Sequence, residues 1–81
     1  MNIERIEWID SAVNSGWALF DDWKEEMHDP IRITSYGFMV KETEDYVILA
    51  QNYGTNPEQV CNTIAIPKGC ITKRETIEPI L

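Results

Sequence analysis

The chain has 81 residues, of which 43% are hydrophobic, and a net charge of −7 from 14 acidic and 7 basic side chains. A chain of this length forms one domain with a single core. Its apolar runs are far shorter than the roughly 20 residues of a membrane-spanning helix. The acidic balance argues against binding to nucleic acids and to anionic membrane surfaces, because both depend on lysine and arginine.

The two cysteines, Cys61 and Cys70, are too few for a disulfide framework or a four-ligand zinc site. Residues 1–5 are not followed by the apolar stretch of a secretory signal. We therefore expect a cytoplasmic protein without cofactor or metal, in which both cysteines are small residues of the core.

The first predicted strand covers residues 3–10. A strand turns successive side chains to opposite faces, so Ile6 and Trp8 share one face, and Ile3 and Ile9 share the other. The turn-rich residues that follow end this strand.

The hydrophobic period then changes, and residues 18–27 are predicted to form a short amphipathic helix that Pro30 ends. So short a helix is unstable alone and must dock through its apolar stripe, which consists of Leu19, Phe20, Trp23 and Met27. The opposite face is acidic and carries Asp21, Asp22, Glu25, Glu26 and Asp29.

Four more strands are predicted, from β-branched and aromatic residues and from alternation, over residues 31–41, 46–53, 59–66 and 70–77. Gly37 indicates a bulge or bend in the first of these. Five short strands in so small a domain favour closure into a barrel, because closure removes exposed edges. The prediction is a mainly-β, five-stranded barrel with the helix between its first and second strands, plugging one open end.

The connection Ile66-Pro67-Lys68-Gly69-Cys70-Ile71 resembles the single-turn helical break before the last strand of SH3-like and Sm-like barrels. Further motifs are Trp8-Ile9-Asp10-Ser11, Gly16-Trp17 and Ser35-Tyr36-Gly37-Phe38-Met39-Val40. Together these segments resemble a group of small phage and prophage proteins over nearly the whole chain. The resemblance implies a phage or integrated-element origin and a cytoplasmic location. That group has no assigned activity, so the resemblance implies no site residues.

Trp17 lies outside the apolar stripe of the predicted helix and next to Gly16. With the acidic face of the helix it forms a candidate interaction surface, made of Trp17, Asp21, Asp22, Glu25, Glu26 and Asp29. Aromatic and one-signed surfaces of this kind are typical of peptide and protein recognition. The alternative for the acidic face is that it is only solvated.

A catalytic triad from Asp10, Ser11 and His28 is disfavoured, because no oxyanion motif accompanies these residues. Asp10 and Ser11 more simply close a turn. We therefore expect no enzyme activity.

The leading hypothesis is a small protein–protein interaction or regulatory module. One alternative is an acidic decoy of a nucleic-acid-binding protein, which requires the helix acids to cluster with Glu42, Glu44 and Asp45. Another is an Sm-like nucleic-acid binder that uses the locally basic residues Lys68, Lys73 and Arg74. The oligomeric state is open, because an unpaired edge strand can pair with a second chain.

Overall fold

The computed structural model describes residues 1–11, 17, 19–21 and 30–77. Five antiparallel strands form one sheet in the order β4-β3-β2-β1-β5. They are β1 (Ile3–Asp10), β2 (Ile31–Glu42), β3 (Tyr46–Thr55), β4 (Glu58–Pro67) and β5 (Ile71–Ile77). A 3₁₀ turn, Lys68–Cys70, joins the last two strands. The mainly-β class and the five strands are confirmed.

β2 pairs with two neighbours in succession. Its residues from Ile31 to Phe38 pair with β1, and those from Phe38 to Glu42 pair with β3. Next to Phe38, where β2 changes partner, a Cβ atom on Gly37 would lie 2.8 Å from the carbonyl oxygen of Ala50. A glycine therefore allows the two backbones to approach, and a register shift follows between Met39 and Lys41.

The core lies on the inner face of the bent sheet. Ile6 and Trp8 of β1 meet Val47 and Leu49 of β3 and Ile66 of β4. Full burial of such a side chain contributes about 1.5–3 kcal/mol. The indole Nε1 of Trp8 donates a hydrogen bond of 3.1 Å to the Ser35 hydroxyl, so the polar atom of this large side chain is satisfied.

The prediction of a closed barrel is wrong. Within the described residues, β4 pairs only with β3 and β5 only with β1, so the sheet keeps two edges. The reason lies in the length of the β3–β4 hairpin. Only the residues at its open end, such as Val47, Leu49 and Ile66, reach the core. No residue from 51 to 65 is buried. These residues form a projection, called the arm below, that points β4 away from β5.

The predicted helix over residues 18–27 falls largely outside the described residues. Within it, Phe20 and Asp21 have helical backbone. The expectation that the apolar stripe docks is wrong for Leu19 and Phe20, which are 74% and 72% exposed. Trp23 and Met27 lie outside the described residues. Since the sheet is open, there is also no barrel end for a helix to plug.

The cysteines differ from each other. Cys70 packs against the core, as predicted, but Cys61 is exposed on the arm, and both are free thiols. The prediction of a core position for Cys61 is wrong. The residue pattern of a strand does not reveal whether a second layer of structure covers that strand, and none among the described residues buries Cys61.

Candidate protein-binding surface

The surface predicted from the sequence is only partly described. Trp17 is fully exposed at 105%, and Asp21 is exposed as well. Asp22, Glu25, Glu26 and Asp29 lie outside the described residues. The described structure therefore shows two exposed members of this surface.

A cleft that the sequence did not predict opens where β2 and β3 diverge. The β2–β3 ladder ends at the pair Phe38–Ala50. Beyond this pair β2 follows β1, whereas β3 continues into the arm beside β4. The space between them is about 560 Å³, and nine residues line it: Thr34, Ser35, Tyr36, Leu49, Ala50, Gln51, Asn62, Thr63 and Ile64.

The lining of the cleft is uncharged. Leu49 and Ala50 are buried. The other lining residues offer hydroxyl groups, side-chain amides and the half-exposed apolar side chains of Tyr36 and Ile64. Since the ladder has ended here, the facing backbone edges of β2 and β3 are available to a third strand. Such a surface can bind an extended chain.

Tyr36 is held at the rim of the cleft by Arg5. The Nε atom of Arg5 donates a 3.1 Å hydrogen bond to the Tyr36 hydroxyl, and the guanidinium carbon lies 6.0 Å from the ring centre. Arg5 is fixed in turn by ion pairs with Glu7 at 2.9 Å and Glu75 at 3.1 Å. The hydrogen bonds that Arg5 donates to Glu7 and Tyr36 raise its pKa well above the ordinary value. The ring of Tyr36 is therefore restrained, although the residue is 57% exposed.

Asn62 lies in the cleft lining with a left-handed backbone, at φ 57°. Asparagine tolerates this conformation better than most residues. The β3–β4 ladder is interrupted here, between the pairs Ala50–Thr63 and Asn52–Cys61. This irregularity lies where β4 borders the cleft.

A network of charges connects Arg74, Glu4, Glu42 and Lys68. Arg74 donates two 3.0 Å hydrogen bonds to the carboxylate of Glu4, which is 4% exposed. Arg74 also donates to Glu42 at 3.0 and 3.2 Å, and Lys68 lies 2.8 Å from Glu42. The bonds from Arg74 and then Lys68 lower the pKa of Glu42 to about 2. This network links β5 to β1 and β2.

The network uses two of the three residues on which the nucleic-acid alternative rests. Lys68 and Arg74 are paired with carboxylates, and Lys73 lies opposite Glu7 in the β1–β5 ladder. The charge of Glu42, one of the turn acids invoked for an acidic decoy, is likewise compensated.

Asp10 and Ser11 form a side-chain-to-backbone hydrogen bond of the kind on which the turn interpretation rests, and residues 12–16 lie outside the described residues. The Ser11 amide donates a 2.9 Å hydrogen bond to the Asp10 carboxylate, while His28 lies outside the described residues. Within the part of the chain that the structure describes, no group of three or more metal-ligating side chains occurs. The same part contains no helix with the length and apolar character needed to cross a bilayer.

Sequence reasoning missed the cleft because it depends on where the pairing between β2 and β3 ends, which the residue pattern of a single strand does not show. One signal was available. Glu58 is the only charged residue from Tyr46 to Pro67, whereas the whole chain has 21 charged residues in 81. An exposed hairpin with so little charge is unusual on a soluble surface, and it marks the arm and the adjoining cleft as a candidate interaction surface.

No protein-family model, curated protein or solved structure matches this chain.

Proposed function

We propose that the chain is a small protein–protein interaction module of phage or prophage origin, whose cleft binds an extended, uncharged segment of a partner protein. The observation that carries the proposal is the cleft itself, in which two strand edges separate around an uncharged space of about 560 Å³. The origin rests on the resemblance of the sequence motifs to phage and prophage proteins.

The binding mode is the addition of a strand. A segment lying along β2 would form main-chain hydrogen bonds with the part of β2 that does not pair with β3, from Ile31 to Gly37. Main-chain bonds of this kind provide affinity, and side chains at alternate positions provide selectivity. Tyr36 and Ile64 are exposed apolar contacts at the cleft. Because Arg5 restrains Tyr36, little side-chain entropy is lost when its ring is covered.

The partner segment should be uncharged where it enters the cleft. A charged side chain would lose hydration without gaining a counter-charge from the lining. Outside the cleft, the net charge of −7 favours a partner with basic residues flanking the bound segment, because complementary charge accelerates association.

A displayed random-peptide library tests the proposal. Peptides are selected on the purified chain and then measured on two variants, Gln51→Arg and Asn52→Arg. Both residues are exposed neighbours on β3, but only Gln51 lines the cleft. We expect the selected peptides to be extended and uncharged at their centre, and to lose about tenfold or more in affinity for Gln51→Arg only.

Two results would contradict the proposal. One is that no peptide is enriched above a control without protein. The other is that the two variants bind the selected peptides equally well, since binding would then not involve the cleft.

A further inference from the structure

The two edges of the open sheet differ in charge. The β5 edge is short and carries three consecutive charged residues, Lys73, Arg74 and Glu75. The β4 edge is ten residues long and carries no charge from Gln59 to Pro67. Natural proteins protect exposed edges with charged residues and short strands, because an unprotected edge pairs with other chains. The β5 edge has this protection and the β4 edge lacks it.

We propose that β4 pairs with β4 of a second copy of the chain in antiparallel orientation, forming a symmetric dimer with a continuous ten-stranded sheet. Both ends of that sheet would be charged β5 edges, so pairing stops at two copies. A two-fold interface of this kind closes on itself and does not propagate into a fibre.

The charge layout favours a second copy over an unrelated basic partner. Two chains of net charge −7 repel each other, so an edge at which neither chain presents charge favours their association. The β4 edge is such a place. A basic partner would instead be expected to bind where carboxylates are exposed, because interfaces match opposite charges. Along β4 the only carboxylate is that of Glu58, at the tip of the arm.

The strand is also complementary to itself. With the two-fold axis at Asn62, Val60 of one copy lies opposite Ile64 of the second copy. These side chains are 43% and 38% exposed in the single chain. Pairing would cover both, and apolar cross-strand pairs stabilise a sheet. The left-handed residue Asn62 lies on the axis, where it meets the same left-handed residue of the other copy.

The amides available for this pairing follow from the hairpin. A two-residue turn joins the pair Thr55–Glu58. In such a hairpin the closing pair is hydrogen-bonded, and pairs then alternate along the ladder. The residues of β4 whose amides point away from β3 are therefore Gln59, Cys61, Thr63 and Ala65.

The proposal is tested by the mass of the purified chain in sedimentation equilibrium. The wild-type chain should approach twice 9.4 kDa as its concentration rises. The variant Cys61→Lys/Ala65→Lys places charge on the outer edge and should raise the dimer dissociation constant about tenfold or more. Each lysine also lowers the net negative charge, so a loss of dimer cannot come from stronger repulsion between acidic chains.

The matched control is Asn52→Lys. Asn52 is exposed and pairs with Cys61 across the β3–β4 ladder, one strand in from the edge. This variant should dimerise like the wild-type chain. Circular dichroism of all three proteins establishes that each has kept its strands.

Hydrogen exchange gives a second measurement. The amides of Cys61 and Ala65 should exchange more slowly as the protein concentration rises, because dimer formation covers them. A wild-type chain that stays monomeric at high micromolar concentration would overturn the inference, as would a dimer that the two edge lysines leave unchanged. Neither Cys61 nor Ala65 lines the cleft, so a monomer that still binds selected peptides would overturn the dimer and leave the proposed function standing.

Discussion

Glu4 places a carboxylate on the buried face of β1, among residues that are otherwise apolar. Two hydrogen bonds from Arg74 compensate the charge, and the arginine side chain is itself 30% exposed. A buried carboxylate without a partner is costly, whereas an apolar pair of similar size is often tolerated. The pair therefore makes the position of β5 beside β1 specific.

Replacing Arg74 should destabilise the protein through Glu4. We expect Arg74→Met to lower the free energy of unfolding by about 2–4 kcal/mol, because the buried carboxylate loses its partner. The double variant Glu4→Leu/Arg74→Met should regain most of this loss. Urea unfolding measures both, with Lys73→Met as a control expected within about 0.5 kcal/mol of wild type. A double variant no more stable than Arg74→Met would show that the buried charge is not the cause.

Glu42 makes the stability depend on pH in the acidic range. Its pKa falls from an ordinary value of 4.5 to about 2 in the folded chain, because it accepts hydrogen bonds from Arg74 and Lys68. A carboxyl with a lowered pKa contributes stability that is complete above its unfolded pKa and is lost as the pH falls toward the folded one.

We therefore expect the free energy of unfolding to decline between about pH 5 and pH 2, and to decline less steeply in Glu42→Gln. Urea titrations at several pH values measure the two slopes. Glu44→Gln is the control from the neighbouring exposed turn. Equal slopes for wild type and Glu42→Gln would contradict the role assigned to Glu42.

At the scale of the elements, the position of β2 between β1 and β3 depends on Gly37, which lies next to the residue where β2 changes partner. A Cβ atom there would lie 2.8 Å from the Ala50 oxygen and 3.1 Å from the Leu49 Cβ. Since the first contact is with backbone, Gly37→Ala should cost about 1–3 kcal/mol. Gly69→Ala is the control, because no atom lies within 4 Å of its added Cβ. Thermal or urea unfolding should show Gly69→Ala within about 0.5 kcal/mol of wild type; equal losses for the two would contradict the crowding at Gly37.

β4 depends in a similar way on the left-handed backbone of Asn62. Asn62→Gly should be neutral or nearly so, because glycine adopts this conformation freely. Asn62→Val should lose about 1–3 kcal/mol, because a β-branched residue is strained there. Asn52→Val, on the regular part of β3, is the control and should change stability little. If Asn62→Val is as stable as Asn62→Gly, the strained conformation is not present in solution.

The sequence predicted the strands well because their signals are local. Alternation placed Ile6 and Trp8 on one face of β1, which the structure shows to be the buried one, and the Pro67–Gly69 break marked the 3₁₀ turn. Whether the sheet closes depends on the distance between β4 and β5, and alternation along one strand does not report it. The burial of Glu4 was equally hidden, because its partner Arg74 lies 70 residues away in the sequence.

The candidate site was predicted less well than the fold. Sequence patterns drew attention to Trp17 and the helix acids, because these residues stand out by type and spacing. The cleft consists of threonine, serine, asparagine, glutamine and aliphatic residues, which are common in any strand. It becomes visible only when the β2–β3 ladder is seen to end at Phe38–Ala50.

At the scale of the whole molecule, the charge is distributed unevenly. The arm is nearly neutral, and most of the 21 charged residues lie elsewhere. The principal dimensions of 56 × 24 × 24 Å describe an elongated molecule. In the proposed dimer, two acidic bodies are joined by neutral arms.

The association of these two bodies should therefore tighten with added salt. Salt screens repulsion between bodies of like charge, while strand pairing at a neutral edge is little affected. Sedimentation equilibrium in low and high sodium chloride measures the dissociation constant, which should fall several-fold as salt rises. A constant that rises with salt would indicate an interface held by opposite charges, contrary to the neutral edge proposed here.

The ladder between β1 and β5 bears on how the protein is made. β1 leaves the ribosome before the other strands. Its pairs with β5, such as Ile3–Ile77, join residues whose synthesis is separated by the translation of all the other strands. Contacts so distant along the chain form late and slowly. One edge of β1 therefore stays open until β5 has been translated, and Glu4 gains its hydrogen-bond partner only after Arg74 has emerged.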